Sequence, residues 1–257
     1  MKKFEEEKVV KIFGLRGIPI IKEGDDIAKI ICEAAESQGI GIRDGDVIVI
    51  ASKIVAKAEG QIINLDEIKP SPFAIRVGEL MNKDPRLVEL ILRESNKVVK
   101  MKFRHLIVET KHGFVCANAG IDRSNVAGQK NIVSLLPKDP DESARKIRER
   151  IRELKGVDVA VIISDTFGRA WRAGHVNFAI GISGMKPIRD YRGENDMFGY
   201  TLRVTQMAVA DELAAAAELV MGKADGIPVA IIRGYDYPRG EGSSKDLIYP
   251  EEKDLFR

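Results

Sequence analysis

The chain has 257 residues, 44% hydrophobic and 31% charged, with 41 basic against 39 acidic side chains and a formal charge of +2. That length allows one large packed unit or two small ones, and the composition is that of a globular protein, not a disordered one. The near balance of charge argues against nucleic-acid binding through bulk positive potential, and no apolar run reaches membrane-spanning length. The opening MKKFEEEKVV lacks the apolar core of a signal peptide, and the widely spaced Cys32 and Cys116 read as buried thiols, so a reducing cytoplasm is the expected compartment. The three histidines show no HExxH-type spacing, which leaves no zinc motif.

Taken in order, residues 9–13 read as a first strand. Gly17 and Pro19 make the following isoleucine-rich stretch a loop. Asp25 or Asp26 then caps an amphipathic helix running to about Gly39, with Ile27, Ile30, Ile31 and Ala34 on one face. Residues 47–51 (VIVIA) form a buried strand that ends in Ser52 and Lys53, with Lys57 four residues on; ordinary surface lysine is the alternative to phosphate contact there. Residues 66–96 look helical, broken by Pro70, Pro72 and Pro85. HLIVET (105–110) and FVCAN (114–118) flank a hairpin turn and lead into a polar loop with Asp122, Arg123, Ser124 and Asn125. Asp139, Pro140 and Glu142 signal a helix start, and ARKIRERIREL alternates charge as a solvated face would. Residues 176–184 read as a strand, 190–196 as a polar loop, 201–220 as an alanine-rich helix and 227–232 (IPVAII) as a last buried strand. No repeat or linker interrupts the chain. We read 1–257 as a single unit, which two intimately packed subdomains would also satisfy, with a polar tail over 235–257.

The chain is organised around residues 157–172, VDVAVIISDTFGRAWR. The apolar half reads as a strand buried on both faces, stopping at Ser164, Asp165 and Thr166, with Gly168 giving a change of direction. Arg169 and Arg172 flank Trp171. Asp and Thr oxygens suit magnesium or manganese, and guanidinium groups suit phosphate or carboxylate; a strand followed by a solvated turn is the plainer alternative. There is no GxxxxGK[ST], no GxGxxG after a strand and no GxSxG elbow, which excludes the P-loop and counts against Rossmann and hydrolase-elbow sites. What remains is Asp122, Asp165 and Thr166 for a divalent ion, and Lys53, Lys57, Lys223, Arg169 and Arg233 for anions. Phosphoryl transfer from a nucleotide needs such a set, and a metal-dependent phosphohydrolase would use it too.

Six segments in order, GIPIIKEGDDI, VIASKIVAKAEG, NAGIDRSN, SDTFGRAWR, AIGISG and VMGKADGIPVAIIRG, resemble the coenzyme F-420-0:L-glutamate ligases, the γ-glutamyl ligases of deazaflavin coenzyme synthesis, in their stand-alone archaeal-type form. The likeness runs from about Gly17 to Gly234. It implies an α/β fold of mixed sheets and packed helices, peculiar to the family and neither P-loop nor Rossmann, and a homodimer with the nucleotide near the subunit interface. It also implies a GTP-dependent ligase that joins L-glutamate to the deazaflavin precursor F-420-0 through an acyl phosphate, with further γ-linked glutamate. The implied cofactors are Mg2+ or Mn2+, as many as two ions, and a monovalent cation such as K+. Position by position, Asp122 and Asp165 match ligands of one divalent ion and Thr166 a ligand of a second. Ile18, Pro19, Ile20, Ile21, Ser52, Lys53, Lys57 and Asn125 match nucleotide-contacting positions, as do Met221, Gly222, Lys223, Ala224, Asp225, Gly226, Ile227 and Pro228. Arg169 and Arg172 are assigned to the acidic substrate or the γ-phosphate. One departure stands out: the family commonly carries Gln or Glu, a second-metal ligand, where this chain has Lys223, and a protonated lysine cannot ligate a metal. A GTP-binding protein without ligase activity is the reading that this lysine favours.

Overall fold

The computed structural model describes residues 8–124, 126 and 131–255. The strands are β1 (Lys11–Gly14), β2 (Val47–Ala51), β3 (Ile62–Asn64), β4 (Ser95–Lys102), β5 (His105–Thr110), β6 (Val115–Ala117), β7 (Ile132–Ser134), β8 (Ala160–Arg169), β9 (Arg172–Ser183), β10 (Arg189–Asp190), β11 (Gln206–Met207) and β12 (Val229–Arg233). The helices are α1 (Ile27–Ser37), α2 (Ser52–Ala58), α3 (Pro72–Met81), α4 (Pro85–Arg93), α5 (Pro140–Lys155) and α6 (Val209–Met221). This is the mixed α/β arrangement expected.

A five-stranded sheet in the order β1-β12-β2-β8-β9 forms the centre, with β2 and β8 parallel and every other pairing antiparallel. Residues 47–51, 160–163 and 229–232 of its inner strands are apolar because both faces are covered there. Ile48, Ile50, Val161, Ile163, Val229 and Ile231 meet α1, α2 and α5 on one face. Val47, Val49, Ala160, Ile162, Ala230 and Ile232 meet α6 on the other, where Ala210, Ala214 and Ala217 bring the helix in close. A separate apolar cluster joins α3 and α4 to the β4-β5-β6 sheet through Val77, Met81, Val88, Ile91, Leu106 and Val108.

Local signals explain the helix starts. Asp26, Ser71, Asp84 and Asp139 each accept a backbone N–H of their helix's first turn. Pro72, Pro85 and Pro140 occupy first helical positions, where a missing N–H costs nothing.

Three expectations are corrected. β8 does not stop at Ser164: it runs to Arg169 and pairs with β9, with Asp165 opposite Phe178 and Thr166 opposite Asn177. Ser164 is the last residue paired with β2, Asp165 and Thr166 continue on a two-stranded ribbon with β9, and the turn falls at Ala170 and Trp171, not at Gly168. Residues 201–208 are not helical; they fold back on 189–196, with Tyr191 donating to the Thr205 carbonyl at 3.0 Å and Gly193 to that of Leu202 at 2.8 Å. Arg233 is not an anion site. It pairs with Asp46, 1% exposed, through Nε–Oδ1 at 2.8 Å and Nη2–Oδ2 at 2.7 Å, and so braces the sheet.

At Gly181 of β9, an added Cβ would lie 2.3 Å from the Pro140 carbonyl oxygen. Gly181→Ala should therefore cost about 3 kcal/mol in urea denaturation, since backbone must move. Gly168→Ala, with its nearest neighbour at 3.9 Å, should change stability by less than about 0.5 kcal/mol. Equal midpoints for the two variants would refute this account of the α5–β9 packing.

Candidate active site

A cavity of about 690 Å³ opens where β2 ends and the β8–β9 ribbon runs on. Its size suits a nucleotide-sized ligand. β2 passes into α2 without a loop, so Ser52 and Lys53 project from the first turn of that helix. The last paired residues are Ala51 and Ser164; Asp165 is the next residue along β8.

Asp122 arrives from another segment. It is fixed by a two-way backbone bridge to Ser134, N to O at 3.1 Å and O to N at 2.8 Å. Asn118 and Ala119, just before it, both lie in the left-handed region at φ 55° and 56°. That conformation costs a non-glycine residue about 1–2 kcal/mol, and such strain concentrates at functional sites.

The two carboxylates experience opposite fields. Burial pushes Asp122 up, but Lys53 Nζ, 2.6 Å from Oδ2, and the Ser124 N–H and hydroxyl, at 2.8 and 2.7 Å, outweigh it and hold the carboxyl below its usual range. Burial also pushes Asp165 up, to about 6; the Thr166 N–H, the Ser52 hydroxyl at 3.1 Å and Lys53 only partly offset it, and the charge of Asp122 adds to it. A half-withdrawn carboxylate facing a second one is short of positive charge, and hard oxygens in that state fit a divalent cation. In the protein alone, Lys53 stands in for part of that charge. Among the described residues, no three His, Cys, Asp or Glu side chains converge as a complete metal cage. Burial, together with the charge of Lys53, holds the ammonium of Lys57 below its usual range.

The structure brings Ile18, Pro19, Ile20, Ile21, Ser52, Lys53 and Lys57 to this cavity with Asp122, Asp165 and Thr166. Met221, Gly222, Lys223, Ala224, Gly226, Ile227 and Pro228 close the other side. Asp225 is not in the lining; its carboxylate curls over Gly222. Asn125 lies outside the described residues. Arg169 and Arg172 stand at the ribbon's tip, outside the lining, where Arg169 Nη2 donates to the Ala173 carbonyl at 3.3 Å. Arg169 Nε is buried without a partner among the described residues.

Sequence reasoning passed over Asn177 and Glu218. The Thr166 hydroxyl donates to Asn177 Oδ1 at 2.7 Å, and Asn177 Nδ2 donates to Glu218 Oε2 at 2.9 Å. Lys223 Nζ donates to Thr166 Oγ1 and lies 3.5 Å from both Asn177 Oδ1 and Glu218 Oε1. The signals were an amide inside the apolar strand NFAIGI and an acid, Glu218, that interrupts the apolar end AAAAELVM of α6. Cys32 and Cys116 are free and buried, as expected. Among the described residues, no helix is long and apolar enough to cross a membrane.

The family model described as F420-0:Gamma-glutamyl ligase matches residues 16–234. Coenzyme F420:L-glutamate ligase of Methanothermobacter thermautotrophicus is 51% identical over 251 residues, covering 96% of this chain and 99% of that protein. The protein of the same description from Methanocaldococcus jannaschii is 48% identical over 256 residues, 98% of this chain and 99% of its own. That of Archaeoglobus fulgidus is 46% identical over 249 residues, 96% of each.

Asp165 carries a stability consequence. Its folded carboxyl keeps a proton to about pH 6, against an ordinary 3.8. Ionising it therefore opposes folding; the cost is full above pH 6 and vanishes below about 4. In chelator-treated protein, Asp165→Asn should be more stable than the parent by about 1–3 kcal/mol at neutral pH. The difference should close as pH falls from 6 to 4 in denaturant titrations. A parent at least as stable at neutral pH would contradict the assigned burial.

Proposed function

This chain belongs to the F420-0:gamma-glutamyl ligase family, and from that premise we propose that it is a GTP- and metal-dependent ligase. It joins L-glutamate to the deazaflavin precursor F-420-0, with further γ-linked additions. The observation that carries this reading is the meeting of Asp122 and Asp165 with Lys53, Lys57 and Lys223 around one cavity of nucleotide size.

Amide formation from a free carboxylate is uphill in water, so the carboxylate must first be activated. A carboxylate oxygen of the precursor attacks the γ-phosphorus of GTP; the bond to the β-phosphate oxygen breaks, giving an acyl phosphate and GDP. The glutamate amine then attacks the acyl carbon, phosphate departs with the bonding pair, and the amine loses a proton. Lys57 and Lys223 offset the charge of the polyphosphate, and Lys53 orients Asp122. Ser52 holds Asp165 by its hydroxyl. Asp122 and Asp165 would hold Mg2+ or Mn2+, which when bound neutralises phosphate charge and organises the transferred group. The cavity walls, including Ile21 at 4% exposure, keep bulk water from the activated acyl group.

A homodimer completes the reading. Trp171 at the ribbon tip and Met197, Phe198 and Val204 on the 189–207 arm are each more than 80% exposed. Large apolar side chains on two projecting hairpins mark surfaces that a partner covers.

Incubation with GTP, Mn2+, F-420-0 and L-glutamate should sustain GDP release over many turnovers only when both acceptor and glutamate are present, with a product heavier by one or two glutamyl units. Multiple-turnover GDP release without glutamate would instead identify a phosphohydrolase, and tight GTP binding without turnover a regulatory protein. Asp122→Ala and Asp165→Ala should each lower kcat by at least about 100-fold, since even partners of metal ligands are worth 10–100-fold. In solution, light scattering should give twice the 28.4 kDa chain mass; a monomer would remove the dimer from the proposal.

A further inference from the structure

Three oxygens from three elements converge on one point of the cavity wall: Thr166 Oγ1 of β8, Asn177 Oδ1 of β9 and a carboxylate oxygen of Glu218 on α6. They are held in register by their own hydrogen bonds, Thr166 to Asn177 at 2.7 Å and Asn177 to Glu218 at 2.9 Å. Asn177 is 4% exposed and set in the β8–β9 ladder opposite Thr166, so the group is anchored in rigid sheet. A hydroxyl, an amide carbonyl and a carboxylate make a hard donor set of net charge −1, the chemistry that takes a small cation.

The position already has a cation. Lys223 Nζ donates to Thr166 Oγ1 and stands 3.5 Å from both Asn177 Oδ1 and Glu218 Oε1. An ammonium presents three donors and no acceptor, so it satisfies these oxygens and cannot share them with a metal. A divalent ion at the same point would meet like charge at contact distance and would have to expel the lysine into solvent. Thr166, matched by resemblance to a second-metal ligand, is therefore engaged by the chain itself.

We infer that the Lys223 ammonium is the resident cation of the Thr166–Asn177–Glu218 cluster, so that this cavity takes one divalent ion per nucleotide, at Asp122 and Asp165, and not two. This rests on the cavity being the nucleotide site. A lysine here is a built-in balance to the Glu218 carboxylate: always present, singly charged, and independent of metal supply. The cluster's charge balance then no longer depends on metal concentration, which affects only the Asp122–Asp165 site.

The test counts Mn2+ by electron paramagnetic resonance, in the presence of the β,γ-imido analogue of GTP, alongside calorimetric binding of the analogue itself. The parent chain should bind one Mn2+ per nucleotide at concentrations that saturate its first site. Lys223→Gln, which restores a neutral oxygen ligand and removes the ammonium, should bind two. Adding Thr166→Ala to that variant should return the count to one. Two ions in the parent, or a single ion in a Lys223→Gln protein that melts as the parent does, would overturn the inference while leaving the ligase reading intact. Failure of the parent to bind the analogue would overturn the nucleotide site, and this inference with it. The count is independent of turnover.

Discussion

The parallel pairing of β2 with β8 is the constraint on which the site depends. It ends at Ala51 and Ser164, and the two strands then part ways: β2 winds directly into α2, while β8 continues paired with β9. Residues 47–51 of β2 and 160–163 of β8 are all apolar, as a sheet covered on both faces requires of its centre. The first residues past the last shared pair are the first able to carry chemistry, and they are Ser52 and Lys53 on one side and Asp165 and Thr166 on the other. The geometry that buries Ile50 and Ile163 also delivers a hydroxyl, an ammonium and a carboxylate to one place, with no loop to position them. Asp122 is brought to the same place by its bridge to Ser134, which ties an otherwise irregular segment to β7.

The electrostatics then separate two carboxylates that are chemically alike. Asp122 has Lys53 and Ser124 as close partners and is held ionised; Asp165 is withdrawn from water with less compensation and resists ionisation. In a purely structural ion-pair network each acid finds its own cation, as Asp46 does with Arg233. An acid left short of positive charge beside another acid is stable only if the fold elsewhere offsets the cost, and such pairs are characteristic of sites that receive a cation from outside. Lys57, itself lowered by burial and by Lys53, shows the converse: the lysines crowd one another until an anion enters.

Much of this was legible in the sequence because the signals were physical. VIVIA and IPVAII read as buried strands, and with β8 they form the inner strands of the sheet. Asp26 and Asp139 were legible as caps from their own chemistry. The ribbon was misread because SDT looks like a strand's end; only β9, twelve residues long and itself part polar, supplies the ladder that keeps those residues extended. Residues 201–208 went wrong because helix propensity was carried past Val209 into a segment whose hydrogen bonds go to 191–194. Arg233 was read as an anion site because nothing local reveals Asp46, 187 residues away in sequence. Asn177 and Glu218 escaped for the same reason: each is unremarkable in its own element, and only the packing of α6 on β9 makes them a pair.

A tethered ammonium and a bound divalent ion answer the same electrostatic need in different ways. The ion carries twice the charge, accepts ligands from several directions and polarises the oxygens it binds; the ammonium only donates hydrogen bonds, along a flexible stem. On the proposed ligase reading, with Lys223 in the Thr166–Asn177–Glu218 cluster, polarisation of the transferred phosphoryl group would fall wholly to whatever Asp122 and Asp165 hold. The demand on those two residues rises accordingly, and Lys53 matters more, because it must yield Asp122 to an incoming ion yet keep it ionised until then. On the proposed ligase reading, the departure at position 223 is compatible with catalysis because the Asp122–Asp165 pair would hold its ion without Lys223, although Asp165 and Thr166 are neighbours on β8. One pair is built on the parallel junction with β2, and the other cluster on the antiparallel ribbon and α6.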